Sequence, residues 1–402
     1  MSPDSSGADA SARPDTVFLS AGEASGDWSG SLLLQALHVA RPQLVARGIG
    51  GKRLAAAGMR LIADSSTWGA IGLFEGLMKV PRIWGAMQAA RADLAAHPPS
   101  LLVLIDCGAF NMRLARAIRG LALPTLYYFP PGSWSRKPRG PELCTLVDAV
   151  ATPFPWSAKL LAGGRARVEW VGHPVVESAR PRLSAKEAAA RYGIDLTRPV
   201  VAIAPGSREQ ELRHLLPVFA AAAARVQQAL PGTQFLVPVA PTLDRDRVAA
   251  VLARAGVTAT LLNGMDYDAL QLAQAAAVCS GTATLEFCCL GLPMVVAYRA
   301  SLATTIQYRL LRGLLGRQRF AAMPNIIAER EIIPERLGAA ATPESIAEVV
   351  IRYLRDESAR VEAKRELAAV AEVLGPPGAS ARAAALALEV MAGQEVAHAE
   401  TG

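Results

Sequence analysis

The stretch 277–299 constrains the fold of this chain more than any other. Its first apolar run ends at Cys279, small polar residues follow, and a second β-rich run begins at Met294. This pattern predicts a strand that turns into a short helix, followed by the next strand of a sheet. The first N–H groups of a helix have no partner within it and can bind an anion. A phosphate site is therefore predicted at Ser280, Gly281 and Thr282.

Glu286 follows one helical turn after this predicted phosphate site. A carboxylate only accepts hydrogen bonds, so it can take two from the hydroxyls of a ribose. Phosphate and sugar would then lie side by side. The alternative interpretation is an ordinary strand-to-helix turn with a solvated glutamate, because Gly/Thr-rich turns of this kind are common.

A second strand-turn-helix pattern supports the nucleotide interpretation. The apolar run 200–204 leads into a Gly-Ser turn and an arginine at the predicted start of a helix. A guanidinium is a planar fork that keeps its charge, so it suits a pyrophosphate. The loop 263–265 has the backbone freedom to hydrogen-bond a flat base. Together these patterns predict a nucleoside diphosphate site that includes Gly206, Ser207, Arg208, Gly264 and Met265.

The first half of the chain begins with the same pattern but with different turn chemistry. The predicted strand 16–20 leads into the glycine-bearing turn 21–27, which carries two carboxylates that would repel a phosphate. The turn is therefore predicted to hold the hydroxyls or amides of a sugar. Its polar side chains are Glu23, Ser25 and Asp27. The alternative is that Ser25 and Asp27 only cap the helix.

Asp106 follows the uniformly apolar run 101–105, at the end of a predicted buried strand. Open α/β sheets bind their ligands at this end of their strands, which makes Asp106 a candidate base. Asn111 begins the helix that follows. Farther on, Arg136 and Lys137 lie in a basic loop that could meet phosphate, the alternative being a loop that is simply solvated.

The segment 68–84 carries more large apolar side chains than one core-facing helix stripe requires, together with Lys79 and Arg82. We predict that it lies on a bilayer and admits acyl chains; the alternative is a helix buried between neighbours. The chain has no uninterrupted run of about 20 apolar residues and no apolar core at its N-terminus, which predicts neither a spanning helix nor a secretory signal. Membrane contact is expected to be peripheral.

Length and composition favour a two-domain α/β protein. A chain of 402 residues is long for one core, and 51% of its residues are apolar against 19% charged. The net charge of +7 suits anionic partners, but no long Lys/Arg block is present, so nucleic acid is not expected. The five cysteines lack C-x-x-C spacing, which favours reduced packing residues in a cytosol over metal ligands.

Changes in composition indicate the domain boundaries. The α/β pattern gives way to a charged, alanine-rich stretch and then restarts, and the chain beyond residue 336 is rich in Ala, Glu and Arg. We therefore predict five segments: a disordered lead-in at 1–15, a first domain at 16–176, a linker at 177–198, a second domain at 199–345 and a helical tail at 346–402.

As a set, these motifs resemble the bacterial lipid-A-disaccharide synthases, which are GT-B-fold glycosyltransferases. The matching segments are AGEASGD at 21–27, GIGG at 48–51, GLFE at 72–75, LIDCGAFN at 104–111, VGHP at 171–174, PGSR at 205–208, NGM at 263–265, SGTATLE at 280–286, PMVVAYR at 293–299 and PNIIAERE at 324–331. The resemblance implies an α/β fold of two Rossmann-like domains that face a cleft, with a C-terminal helical tail that crosses back.

The implied reaction is an inverting transfer. A 2,3-diacylglucosamine would pass from its UDP carrier to the 6-hydroxyl of 2,3-diacylglucosamine 1-phosphate (lipid X), giving a β-1,6-linked disaccharide and UDP. The resemblance implies that the C-terminal domain holds the UDP-sugar and that the N-terminal domain handles the acceptor. The expected partners are these two lipids and the membrane surface.

The resemblance also implies roles for individual residues. Catalytic roles fall to Asp106, Arg208 and Glu23, with Asp106 acting as the base or positioning the acceptor. Arg208 would face the diphosphate, Glu286 the ribose, Gly264 and Met265 the uracil, and Asn325 the donor end. The acceptor would meet Ser25, Asp27, Asn111, Arg136 and Lys137. No metal or cofactor is implied, because Arg208 and a helix N-terminus can stabilise the departing UDP.

The match departs from the family pattern in the acceptor half. Ala109 stands where the family has a second aspartate, and the loop 130–137 lacks a Ser and a Trp. The alternatives are therefore a related UDP-sugar transferase or epimerase with another acceptor, or an inactive nucleotide-sugar-binding homologue. We expect a cytoplasmic protein at the inner face of the cytoplasmic membrane and, because the family includes dimers, a homodimer.

Overall fold

The computed structural model describes residues 15–66, 68, 73–136, 142–299 and 319–399, without the side chains of 73–79 and 394–399. The chain divides into two compact units. The first comprises Met1–Val171 and Gly378–Gly402, and the second comprises Gly172–Pro377. Each unit is built on one parallel sheet with interleaved helices, so the predicted α/β class is confirmed.

The first unit contains a seven-stranded sheet in the order β3-β2-β1-β4-β5-β6-β7. Its strands are β1 (Thr16–Ala21), β2 (Val45–Gly50), β3 (Arg60–Asp64), β4 (Leu101–Ile105), β5 (Thr125–Tyr128), β6 (Ala149–Thr152) and β7 (Arg167–Trp170). Its described helices up to residue 171 are α1 (Ala24–Ala40), α2 (Lys52–Ala56), α3 (Leu73–Ala96), α4 (Gly108–Ile118), α5 (Glu142–Leu146) and α6 (Pro155–Leu161), with a 3-10 helix at Arg119–Leu121.

The second unit contains a six-stranded sheet in the order β10-β9-β8-β11-β12-β13. Its strands are β8 (Val200–Ala204), β9 (Gln234–Val239), β10 (Thr260–Asn263), β11 (Ala275–Cys279), β12 (Met294–Tyr298) and β13 (Glu335–Leu337). Its described helices are α7 (Val175–Ser178), α8 (Ala185–Tyr192), α9 (Glu209–Ala229), α10 (Arg245–Arg254), α11 (Tyr267–Leu270), α12 (Ala283–Cys289), α13 (Met323–Ala328), α14 (Pro343–Arg355) and α15 (Glu357–Val373), with a 3-10 helix at Gly338–Ala340.

The uniformly apolar run of β4 is explained by its central place in the first sheet. Its side chains alternate between the two faces, and both faces are covered, so every residue of the strand is buried. Val103 and Ile105 pack in one core with α1 and the C-terminal helix α16 (Ala379–Ala399). Leu102 and Leu104 pack in the other core with α3 and α4.

The C-terminal part of the chain is shared between the units. Helix α14 packs on α9 and helix α15 packs on α12, all in the second unit. The chain then returns, and α16 belongs to the first unit. The predicted tail therefore crosses back, but only its last helix does so. The predicted linker 177–198 contains α8, which begins with a capping box of Ser184 and Glu187.

The segment 68–84 is described only in part, and residues 69–72 lie outside the description. Trp68 is buried beside Phe110, with the ring centroids 4.9 Å apart, so it belongs to the core. On α3, Val80 is 53% exposed and Trp84 is 65% exposed. Within the described residues, every helix is too short or too polar to span a bilayer. Membrane contact by this segment stays a prediction.

A charge placed on the buried face of α16 tests whether this helix stabilises the first unit. Ala387 is fully buried in the core, whereas Ala385 is exposed on the same helix. We expect Ala387→Glu to lower the free energy of unfolding by about 2–5 kcal/mol, because it buries an unpaired carboxylate. Ala385→Glu should change it by less than about 0.5 kcal/mol. Urea unfolding followed by circular dichroism measures both, and equal effects would contradict the observed packing.

Candidate functional site

Each sheet reverses its winding direction beside its first strand. In the first unit, β1 lies between β2 and β4; in the second, β8 lies between β9 and β11. Open parallel sheets bind ligands at the carboxyl ends of the strands at such a reversal, because the flanking loops leave in opposite directions. The predicted residues Asp106, Arg208 and Glu286 all follow strands that border these two points.

Asp106 is held on an unusual turn between β4 and α4. Asp106 and Cys107 both have left-handed backbones, with φ of +49° and +38°. Residues other than glycine adopt this conformation at a cost, which the surrounding structure must offset. The Ser25 hydroxyl donates a hydrogen bond to Oδ2 of Asp106 at 2.9 Å. The first turn of α1 therefore orients the carboxylate of Asp106.

Gly22 allows these two turns to approach each other. A Cβ atom at this position would lie 2.3 Å from the Sγ atom of Cys107, closer than real side chains come. The first turn therefore packs directly on the second. The exposed Glu23 precedes α1 at the same place, and its charge contributes to a raised pKa of Cys107.

The fully buried amide of Asn111 ties β1 and β4 together. Its Nδ2 donates to the carbonyl oxygens of Ser20, Ile105 and Asp106 at 3.0, 2.9 and 3.1 Å. Its Oδ1 accepts from the hydroxyl of Ser20 at 2.6 Å. The Tyr127 hydroxyl also donates to the Asp106 carbonyl, at 2.7 Å. In this arrangement the hydrogen bonds of Asn111 hold the backbone of the Asp106 turn in position. Its predicted contact with an acceptor stays a prediction.

Asp27 has a capping role. Its carboxylate accepts the backbone N–H groups of Gly51, Arg53 and Leu54 at 2.6, 3.0 and 3.1 Å. The helix that it caps is α2, from the neighbouring crossover, whereas the alternative interpretation of the sequence gave it the start of α1. The buried Asp27 therefore links the first turn of α1 to the start of α2.

Burial sets the electrostatics of the Asp106 turn. Loss of hydration raises the pKa of Asp106, and the hydrogen bonds from Ser25 and the Cys107 backbone oppose that rise. Burial, together with the charge of Glu23, also raises the pKa of Cys107 to about 12, so this thiol stays protonated at neutral pH. Asp106 is the group here whose proton affinity is moved toward the range that base catalysis needs.

Arg136 lies on an aromatic stack in the loop after β5. Its guanidinium carbon is 4.2 Å from the ring centroid of Trp156, which stacks on Phe154 with centroids 4.8 Å apart. The Trp156 indole N–H donates to the carbonyl of Ser133 at 3.0 Å. Cation–π contact thus holds the charge of Arg136 in place. Lys137, the other predicted basic residue, lies outside the described residues.

In the second unit, the turn between β8 and α9 is closed by Glu211. This buried carboxylate accepts the N–H groups of Ser207 and Arg208 at 2.9 and 3.2 Å, and the Arg208 guanidinium at 3.3 Å. Gly206 has φ of +119°, and a Cβ atom there would lie 2.5 Å from Oε2 of Glu211. The N–H groups of Ser207 and Arg208 are therefore engaged, whereas the Arg208 side chain is 45% exposed and can meet a ligand.

The turn before α12 is anchored by hydrogen bonds from Ser280. The Ser280 hydroxyl donates to the carbonyl of Ala321 at 2.9 Å, and its N–H donates to the carbonyl of Ala297 at 3.0 Å. Gly281 and Thr282 follow as exposed residues at the helix start. Ser280 therefore acts as the anchor of this turn.

Sequence reasoning missed Tyr267, which contacts Glu286, the residue predicted to bind the ribose. Its hydroxyl donates to Oε2 of Glu286 at 2.7 Å. Tyr267 begins α11, directly after the loop that holds Gly264 and Met265. The hydrogen bond therefore joins the residues predicted for the base to the residue predicted for the sugar. No spacing rule in the sequence indicates this contact, because it links two separate helices.

Asn325 lies buried beneath the loop that leads into β13. Its Oδ1 accepts the N–H groups of Ile332 and Ile333 at 2.8 and 3.0 Å, and its Nδ2 donates to the carbonyl of Ile333 and to Glu335. Glu335 in turn accepts the N–H groups of Ala321 and Ala322. Asn325 thus supports the same stretch that anchors Ser280. Its predicted place at the donor end stays a prediction.

Among the residues described, no three His, Cys, Asp or Glu side chains come together as potential metal ligands. The polar groups at the two sheet edges are a carboxylate with a raised pKa, a partly exposed guanidinium and a carboxylate held by a tyrosine. These groups suit proton transfer in the first unit and recognition of an anion and a diol in the second.

Comparison with solved structures identifies the fold. The structure matches the calicheamicin glycosyltransferase with a TM-score of 0.60 and 18% identity, covering 95% of this chain and 99% of the other. It also matches a putative UDP-N-acetylglucosamine 2-epimerase from Listeria monocytogenes with a TM-score of 0.61 and 12% identity, covering 92% and 95%. At such identities the likeness concerns the fold alone. It confirms the GT-B fold as the class of this chain.

Sequence comparison gives the family. Residues 17–389 match the family model of lipid-A-disaccharide synthetase. The lipid-A-disaccharide synthases of Geobacter metallireducens and Myxococcus xanthus are each 36% identical to this chain, over 376 and 379 residues. These alignments cover 93% and 94% of this chain and 97% and 98% of the relatives. The chain belongs to the lipid-A-disaccharide synthase family and is a UDP-sugar glycosyltransferase.

The raised pKa of Asp106 predicts a pH-dependent stability difference. The native state keeps this proton to higher pH than the unfolded chain, in which the pKa lies near its ordinary value of 3.8. Stability therefore falls as pH rises from about 3.8 to the native pKa. We expect Asp106→Asn to gain stability over the unmodified chain across that window and to match it at lower pH.

Urea unfolding at a series of pH values measures this difference. Ser25→Ala removes a hydrogen bond that lowers the pKa of Asp106, so it should shift the upper end of the window to higher pH. A stability difference that stays constant across all pH values would contradict the assignment.

Proposed function

We propose that this enzyme transfers 2,3-diacylglucosamine from UDP to the 6-hydroxyl of 2,3-diacylglucosamine 1-phosphate, with inversion, giving a β-1,6-linked disaccharide and UDP. One observation carries the proposal beyond family membership. Arg208 and Glu286 follow β8 and β11, which are hydrogen-bonded neighbours, so both side chains belong to the carboxyl edge of one sheet. A guanidinium and an acceptor-only carboxylate at one edge suit the diphosphate and the ribose of a nucleotide.

The donor half of the proposal assigns the parts of UDP to four groups of this unit. The guanidinium of Arg208 pairs with the diphosphate, since Glu211 already occupies the backbone N–H groups of that turn. The helix start at Gly281 and Thr282 faces the phosphates, and Glu286 accepts the ribose hydroxyls. The loop that holds Gly264 and Met265 contacts the uracil. When the bond from the sugar to UDP breaks, Arg208 and this helix start stabilise the negative charge that develops on the diphosphate.

The acceptor half of the proposal rests on Asp106. Its carboxylate takes the proton of the acceptor 6-hydroxyl, the oxygen attacks the anomeric carbon, and the bond from that carbon to UDP breaks. The raised pKa makes Asp106 a stronger base than a solvated aspartate. Glu23 and Ser25 flank it, and Arg136 and Lys137 offer positive charge for the 1-phosphate. The second role that fits this geometry is to position the acceptor by hydrogen bonding.

Both substrates in the proposal carry acyl chains, so we place the enzyme at the cytoplasmic face of the inner membrane. Exposed Val80 and Trp84, with the exposed Arg82 beside them, support this location, because apolar and basic side chains together favour an anionic bilayer surface. A homodimer is part of the same proposal and is measured by analytical ultracentrifugation.

Incubation with UDP-diacylglucosamine and diacylglucosamine 1-phosphate tests the reaction directly. Formation of a β-1,6 disaccharide and an equal amount of UDP would support the proposal. Turnover of the UDP-sugar without the acceptor would indicate an epimerase or another transferase, and binding without turnover would indicate a nucleotide-sugar-binding homologue. Either of these results would overturn it.

Replacing Asp106 separates chemistry from donor binding. We expect Asp106→Ala to abolish turnover and to leave UDP affinity within about twofold, because the UDP contacts are assigned to the other unit. Disaccharide formation and calorimetric titration with UDP measure the two effects. Asp64→Asn, which alters an exposed carboxylate at the end of β3, serves as the matched control. A normal rate in Asp106→Ala would remove this residue from the mechanism.

Replacing Arg208 tests the diphosphate contact. We expect Arg208→Ala to weaken UDP binding by about 1.5–3 kcal/mol, roughly tenfold to hundredfold, as for a hydrogen bond to a charged group. The affinity for uridine, which lacks phosphate, should change little. Arg213→Ala changes an exposed arginine one turn farther along α9 and should bind UDP normally. Equal UDP affinities of the two variants would exclude Arg208 from the site.

A further inference from the structure

We infer that Tyr267 is a positioning residue that makes this enzyme selective for a ribose diol, by orienting the carboxylate of Glu286. The inference rests on the proposed donor site and deepens it. Tyr267 itself is assigned no contact with the nucleotide. It acts through Glu286, to which its hydroxyl donates at 2.7 Å.

The position of Tyr267 is fixed by the short helix that it begins. Asp266 caps α11 by accepting the N–H of Ala269 at 3.1 Å, and Ala269 and Leu270 are fully buried. The hydroxyl of Tyr192 also donates to Asp266. The Asp266 cap and the two buried residues hold the turn from which Tyr267 extends.

Glu286 gains most from such an anchor. It is partly exposed on α12, between the buried residues Leu285 and Phe287. A partly exposed glutamate samples several rotamers, and fixing it on binding costs conformational entropy. The hydrogen bond from Tyr267 holds the carboxylate before a ligand arrives. A preorganised acceptor pair binds a diol more tightly than a mobile one.

The contact also links two parts of the donor. Tyr267 lies three residues after Gly264 in the sequence. The loop proposed to bind the uracil therefore leads directly to the tyrosine that orients Glu286, the residue proposed to bind the ribose. The position of the uracil and the orientation of the Glu286 carboxylate then depend on the same turn. Selectivity for a ribonucleotide is expected to be lost when this hydrogen bond is removed, while contacts with the base and the phosphates persist.

Calorimetric titration with UDP and with 2′,3′-dideoxy-UDP tests the inference. The unmodified enzyme should prefer UDP. We expect Tyr267→Phe to bind UDP about threefold to tenfold more weakly and to bind the dideoxy nucleotide as before, since only the diol depends on Glu286. Adding Tyr267→Phe to Glu286→Ala should cause no further loss, because the two residues act as one unit.

Tyr192→Phe is the matched control, because it removes a tyrosine hydroxyl that bonds to the same turn but not to Glu286. It should keep the preference for UDP. The inference would be overturned if Tyr267→Phe kept that preference or lowered the affinity for both nucleotides equally. Either result would leave the proposed function standing. An unmodified enzyme that fails to bind UDP would overturn both.

Discussion

The reversal of winding at the first strand of each sheet is the constraint on which the rest of this structure depends. Right-handed crossovers place successive strands on one side of β1 and then on the other, and the same happens at β8. Loops on the two sides leave in opposite directions, so the carboxyl edge stays open there. The turns that carry Asp106, Arg208 and Glu286 flank these points because of the strand order, not because of their own sequences.

Buried polar side chains hold those turns in shape. Asn111, Asp27, Glu211 and Asn325 direct their polar atoms at backbone N–H and C=O groups that the turns leave without partners in the sheets. A buried polar atom without a partner would cost about 1–3 kcal/mol, so each of these residues is tolerated because its bonds are made. The outcome is a rigid frame around a few exposed groups.

The Asp106 turn shows what such a frame permits. Two successive non-glycine residues adopt left-handed backbones, which isolated peptides rarely do. Hydrogen bonds from Asn111 and Tyr127 to the Asp106 carbonyl, and the close approach of Gly22, hold that conformation. The same packing removes water from the carboxylate and raises its pKa. The packing around the Asp106 turn therefore accounts for its left-handed backbone, for its burial and for the raised pKa of its carboxylate.

The sequence by itself determined the α/β class, the GT-B fold and the family, because apolar runs, glycine turns and motif spacing are properties of neighbouring residues. It also indicated the strand ends at which Asp106 and Arg208 lie. Only the tertiary structure decided that Asp27 caps α2, that Glu211 occupies the N–H groups beside Arg208, and that Tyr267 bonds to Glu286. These contacts join side chains to groups brought close by packing, and the direction of a side chain depends on all of its neighbours at once. No local pattern can specify that.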